Sequence, residues 1–142
     1  MNFDDVKPFF QEHHRGVVIT HRRNGSAQAS IVKIETMNNA AVFVVRGNSA
    51  KLANLKRDLR CTAMATMDDW GGYAVVEGEA NLSHWDNTDP EALRLLLREA
   101  FRACGGSHPD WDEYDRAMRR ERRTVVMVHP THVYGFARQG SR

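Results

Sequence analysis

The sequence is poor in the residues and motifs that mark several large protein classes. Only two cysteines occur, Cys61 and Cys104, without Cys-x-x-Cys spacing. That argues against a disulfide framework or a thiolate zinc site and leaves both as small, partly buried hydrophobes. Neither Gly-x-Gly-x-x-Gly nor a P-loop Gly-Lys-Ser/Thr is present, so no Rossmann or P-loop nucleotide site is expected. A Gly-x-Ser-x-Gly elbow is missing too, and hydrolase chemistry has no support. No apolar run approaches the ~20 residues that span a bilayer. Met1-Asn2-Phe3-Asp4-Asp5 lacks the basic and apolar regions of a secretory leader. The expected setting is the cytoplasm, with no membrane partner. A net charge of +2 is too small for a general nucleic-acid binder. Seven histidines are present, but His13 and His14 are adjacent and would diverge by about 100° on a helix, and no carboxylate or cysteine sits at ligand spacing around His129 and His132, so no metal site is expected.

What the sequence does have is a pronounced strand–turn–helix. Val42-Phe43-Val44-Val45 is an apolar, β-branched run that stops at Arg46-Gly47. Asn48 or Ser49 then offers an N-cap oxygen, and Leu52, Leu55 and Leu59 recur at helical spacing. The first N–H groups of such a helix lack internal partners, and its dipole places positive charge there. Arg46, Lys51 and the Ser49 hydroxyl lie around that end, a constellation suited to an anion and most economically a phosphate. An ordinary capped helix with a solvated charged face reads equally well from these residues.

At 142 residues the chain is read as one domain, large enough to bury a core. Residues 4–12 form a short helix, with Val6, Phe9 and Phe10 on one side. Residues 16–21 are a strand, Asn24-Gly25 is a two-residue hairpin signal, and residues 27–35 return as a second strand. After a turn at residues 37–39, residues 41–46 complete a three-stranded antiparallel meander that leads to the anion seat. Residues 61–67 are a fourth strand, followed by a loop with Trp70 at its tip. Residues 73–82 alternate between a small apolar face (Ala74, Val76, Gly78, Ala80) and a mixed one (Tyr73, Val75, Glu77, Glu79). Helices follow from Pro90 to about Cys104 and from about Pro109 to Arg120, and a strand runs from Thr124 past Pro130 to Phe136. About six strands with these helices make a mainly β, α+β barrel with helical insertions rather than a βαβ sheet.

The basic run Arg116, Arg119, Arg120, Arg122 and Arg123 contains Glu121 and follows Asp110, Asp112, Glu113 and Asp115. It reads as a solvated helix face with i,i+4 pairing. Leu93, Leu96, Leu97 and Phe101 read as core or dimer contact. Trp70, beside two glycines, is costly to leave in water. It packs under its own chain, meets a partner chain or stacks on a planar ligand.

Taken together, five stretches resemble the pyridoxamine-phosphate-oxidase-like, flavin-binding split-barrel family, most of all its deazaflavin (coenzyme F420)-dependent branch. They are residues 25–32 (Gly-Ser-Ala-Gln-Ala-Ser-Ile-Val), 46–60, 70–80, 108–123 and His132-Val133-Tyr134-Gly135. The second resembles the signature Arg-Gly-Ser-Ala-Lys-x-x-Asn-Leu-x-x-Asp-Pro-Arg. The resemblance implies a homodimeric split β-barrel with two cofactor sites at the subunit interface. It implies that Arg46, Gly47, Ser49, Ala50 and Lys51 hold the cofactor phosphate, supported by Asn54. Ser30, Ile31, Val32, Val44 and Val45 would line the ring pocket, and Trp70 and Tyr73 would approach from the partner subunit. The implied activity is hydride transfer between reduced coenzyme F420 and a small organic acceptor. FMN in the same pocket, or a non-catalytic flavin-binding protein, are the alternatives. Lys56 and Arg57 would meet the polyglutamate tail of the deazaflavin or else form a solvated face. Tyr73 and His132 are proton-donor candidates on chemical type alone. Leu59 replaces the signature proline, Asn48 lengthens the turn, and residues 136–142 lack the Arg/His substrate motif of the vitamin B6 oxidases.

Overall fold

A computed structural model describes residues 1–137. Residues 138–142, part of the tail that distinguishes this chain from the vitamin B6 oxidases, lie outside the described residues. The chain opens with α1 (Phe3–Glu12), started by a reciprocal capping box. Asn2 Oδ1 accepts from Asp5 N–H, and the Asp5 carboxylate accepts from Asn2 N–H at 2.7 Å. Then come β1 (Arg15–His21), β2 (Ala27–Lys33), β3 (Glu35–Met37), β4 (Ala40–Val45), α2 (Ala50–Arg57), β5 (Arg60–Thr66), β6 (Gly72–Ser83), α3 (Pro90–Ala103), α4 (Trp111–Arg120) and β7 (Thr124–Ala137). The strands form one antiparallel sheet in the order β2-β1-β5-β6-β7-β4-β3. The sheet curls so that its β2 edge returns to the flank of β4, leaving a seam without ladder hydrogen bonds between them.

That topology corrects the expected meander. β1 and β2 do pair, Val17 opposite Ile31, but β2 and β4 are separated by four strands in the sheet order. The expected strand over residues 27–35 breaks at Ile34, whose side chain is fully buried in the barrel core, and Glu35 begins the separate strand β3. Among the described residues seven strands result rather than about six. The reason lies in β4, which is buried on both faces: Ala41, Phe43 and Val45 point into the barrel, while Ala40 and Val42 point outward into a second core. A strand buried on both faces belongs inside a covered sheet, and β4 finds that place between β7 and β3. The β1–β2 connection also differs from a two-residue turn. Gly25 N–H donates to Arg22 O, and Gly25 holds φ +88°, giving a longer loop whose left-handed position glycine fills without strain.

The second core lies between the outer face of β4 and β7 and the pair α3–α4. Leu93, Leu97, Ala100 and Tyr114 close over Val42 and Val125 there, and the Tyr114 hydroxyl donates to Leu97 O at 3.0 Å. Leu93 and Leu97 are therefore core. The charged face pairs across elements: Asp115 accepts from Arg94 and Arg98 of α3, while Arg122 reaches Asp86 at 2.8 Å. Arg98 beside Asp115 holds that carboxyl below its ordinary range. In place of the expected i,i+4 ladder, these contacts fasten α4 to its neighbours. Among the described residues no helix is long and apolar enough to cross a membrane.

Candidate functional site

The seam between β2 and β4 gathers residues far apart in sequence. One cavity of about 340 Å³ is walled by Val42, Val44, Phe101, Tyr114 and Met118, with Lys33 and Arg123 as its cations. A second, more open cavity of about 620 Å³ shares Lys33 and Cys104 with the first and carries Ile31 and Val32 on its wall. Ile31, Val32 and Val44, three of the expected ring-pocket residues, thus line two adjoining spaces. Ser30 is half-buried on the same edge strand, opposite Val18. Val45 differs: its side chain is in the barrel core, so only its backbone is available to the seam.

The anion seat is built as strand, turn and helix. Ser49 is the N-cap of α2, its hydroxyl accepting from Leu52 N–H at 3.2 Å and donating to Arg46 O at 2.9 Å. Its proton is committed to the turn. The N–H of Gly47 is also committed, donating to Glu121 O at 3.1 Å. A Cβ on Gly47 would come within 2.6 Å of Arg122 Cβ, so glycine lets this turn close against the end of α4. What remains for an anion is the Arg46 guanidinium, the Lys51 ammonium and the N–H groups of Ala50 and Lys51, which have no intrahelical acceptor. Asn54 is buried beneath them. Its amide donates to Thr20 Oγ1 at 3.1 Å and Gln28 Oε1 at 2.6 Å, and its oxygen accepts from Arg57 at 2.6 Å. It ties α2 to β1 and β2. Arg57 is thereby engaged, whereas Lys56 is exposed and borders a small cavity with Gly47 and Arg122.

Sequence reasoning missed Arg123 and Glu121. The Glu121 carboxylate lies 2.8 Å from Arg123 Nε and 3.9 Å from Arg46. The two cations hold its carboxyl below the ordinary range, the Arg123 hydrogen bond contributing most. Arg123 also lines the 340 Å³ cavity, so this trio links the turn to the seam. No local pattern pointed to them: β7 pairs with β4 with Thr124 opposite Val45, and that long-range register sets Arg123 beside Arg46. Reading the arginine run as one solvated face hid them.

Trp70 and Tyr73 lie elsewhere. Trp70 sits in the β5–β6 turn with φ +66° and is 81% exposed, so the described residues of its own chain do not cover it. Tyr73 faces outward from β6, as does its cross-strand partner Phe136, and His132 lies on the same outer face. Neither proton-donor candidate is on the walls of the two seam cavities.

No family model matches the chain. Among solved structures, it is similar to the conserved hypothetical protein Rv2991 from Mycobacterium tuberculosis, with TM-score 0.76 and 17% identity over 98% of this chain and 86% of that one. An F420 reductase superposes with TM-score 0.66 and 16% identity, covering 89% of this chain and 94% of the other. A pyridoxamine 5'-phosphate oxidase-related, FMN-binding protein from Nostoc punctiforme gives TM-score 0.67 and 12% identity, over 95% of this chain and 80% of that one. At such identities the likeness is one of fold, and the chain has the split-barrel fold of the pyridoxamine-phosphate-oxidase-like proteins.

Proposed function

We propose that this protein is a cytoplasmic, homodimeric oxidoreductase that uses coenzyme F420 to transfer hydride to or from a small organic acceptor. The observation that carries the reading is the continuity of the seam. An apolar space of about 340 Å³ ends at Arg123, which shares the Glu121 carboxylate with Arg46 at the start of α2. Such a space falls within the usual volume range of small-molecule sites, and its donor set suits a planar ring carrying a phosphate. Arg46, Lys51, Arg123 and the first N–H groups of α2 would hold the phosphate. Val44, Phe101 and Met118 would flank the ring and exclude water from it. The bound coenzyme supplies the two-electron hydride chemistry, and the chain binds, orients and desolvates. The uncovered outer face, with Ile31 at 82% and Phe136 at 61% exposure, supports a second copy as the partner. Trp70 and Tyr73 would then complete the neighbouring site.

A second reading, FMN in the same seam, is favoured by the fold shared with an FMN-binding protein. Tight binding without turnover would favour a non-catalytic flavin carrier. Parallel fluorescence titrations with F420 and with FMN separate these readings. Preference for F420, weakened at least about tenfold in Lys51→Ala as expected for loss of a charged contact, supports the proposal. Preference for FMN transfers the protein to flavin chemistry, and binding of neither sinks the cofactor reading.

A further inference from the structure

The break between β2 and β3 places a carboxylate where it has no role in the fold's apolar packing. Glu35 is only 6% exposed. Its Oε1 accepts from Thr36 N–H at 2.6 Å and from the Thr36 hydroxyl at 3.2 Å. Its other oxygen, Oε2, lies 3.6 Å from Nδ1 of His14, the residue just before β1. His14 Nδ1 is also 2.9 Å from Ile34 O, and a carbonyl can only accept, so Nδ1 carries a proton. The backbone adds a further tie, Ile34 N–H donating to His14 O at 2.9 Å. Gly16 makes room for it, because a Cβ there would meet Ile34 Cγ2 and Met64 O, both at 2.8 Å. The ring is thus fixed in orientation and tautomer, which leaves Nε2 as the nitrogen that exchanges a proton. Among the described residues no protein group hydrogen-bonds Nε2. His14 lines the 620 Å³ cavity together with Ile31 and Val32, the expected ring-pocket residues.

We propose that His14 is the proton donor for reduction at the seam and that Glu35 is its positioning residue. This rests on the cofactor reading given above. The reductant is a reduced deazaflavin or flavin, oxidised by two electrons as hydride adds to one atom of a polarised double bond in the acceptor. The electron pair of that bond moves to its other atom. That atom takes the proton from imidazolium Nε2–H, and the neutral imidazole regains a proton from water through the open mouth. The charged and titratable groups around the ring are Glu35 from β3, Glu12 and His13 from the end of α1, Arg15 from β1, Lys33 from β2, Asp68 from the β5–β6 turn, and Cys104 beyond α3. Arg15 and Asp68 approach each other at 3.7 Å. Lys33 and Arg15 are the cations of this cavity, Arg15 being balanced by Asp68.

The first test needs no cofactor. Nitrogen NMR of 15N-histidine-labelled protein, with His14→Gln assigning the signal, should show His14 as the Nδ1–H tautomer when neutral. In Glu35→Gln that tautomer should persist, since Ile34 O still accepts from Nδ1–H, and in the second test kcat should fall with KM and cofactor affinity unchanged. An Nε2–H tautomer in the wild type would overturn the assignment. The second test loads F420 or FMN, measures affinity separately, and follows reduction of cyclohexenone, menadione and nitrobenzene. His14→Ala should bind cofactor as the wild type does and lose about 100-fold in kcat, the lower end of what a positioned acid contributes. Added imidazole should restore part of that rate in a pH-dependent manner, which a merely structural role for His14 would not allow. Cofactor bound and turnover unchanged in His14→Ala overturns the proton role and leaves the cofactor reading intact. A wild type that binds neither cofactor overturns the cofactor reading and this proposal with it. One that binds but reduces none of the three acceptors overturns the proton-donor role alone.

Discussion

The outer face of the single sheet is treated in two opposite ways. Along β4 and the start of β7, Val42 and Val125 are buried under Leu93, Leu97 and Ala100 of the helical insertion. Further across the same sheet, the register aligns Ile31, Val17, Met64, Val75 and Tyr134 in one apolar row over β2, β1, β5, β6 and β7. Among the described residues that row lies outside the helix-covered core; Val75 within it is buried by its neighbours, while Ile31 and Tyr134 at its ends are exposed. The strand chemistry is alike in the two regions. Apolar alternation on a strand therefore tells that a face needs cover but not what supplies it. In one region the cover is the chain's own helices. In the other the proposed cover is a second copy, whose Trp70 loop would reach the seam.

The comparison can be broken by mutation. Leu97→Ala, in the fully buried helix stripe, is expected to lower unfolding free energy by about 2–5 kcal/mol, read from urea denaturation. Tyr134→Asp, on the uncovered row, should leave the monomer's circular dichroism and urea midpoint nearly unchanged. It should instead weaken self-association about 100-fold, read by sedimentation. A charge buried in an apolar interface is that unfavourable, since about 2.7 kcal/mol corresponds to two decades. If Tyr134→Asp unfolds the chain as Leu97→Ala does, the row is monomer core and the contrast disappears. If it changes neither property, the face has no partner copy.

Much of this architecture is written locally. The N-cap Ser49, the alternation in β6 and the Pro90 helix start depend on a few neighbouring residues, and each lies where its pattern points. What the pattern did not disclose is long-range. The register that sets Arg123 beside Arg46 is decided by β4 being buried on both faces, a property of its covering helices. Ile34 looked like one more residue of a strand until the fold drove it into the barrel, and that break is what turns Glu35 toward His14. The same limit applies to Trp70. Its loop was evident, but whether its own chain covered it required the fold, which leaves it exposed.

The smallest expected effect sharpens the helix-covered side. Tyr114 ties α4 to α3 through its hydroxyl, and burial pushes its phenol from 10.0 up to about 12. Between those values the folded chain keeps a proton that the unfolded chain releases. The stabilisation is therefore complete below pH 10 and declines as pH rises toward 12. Burial also pushes the thiols of Cys61 and Cys104 from 9.0 up to about 12 and about 11, and both act in the same direction, so the alkaline decline has three sources. Tyr114→Phe removes one of them. At neutral pH the variant should lose only about 1 kcal/mol, the net worth of one hydrogen bond. Its stability should then fall less steeply than the wild type's between pH 10 and 12, because only the thiols still release protons on unfolding. Urea midpoints at stepped pH would show the two curves converging. Parallel curves would mean that the phenol does not discriminate folded from unfolded chain, and that α4 is held to α3 by Asp115 and its arginines rather than by this hydroxyl.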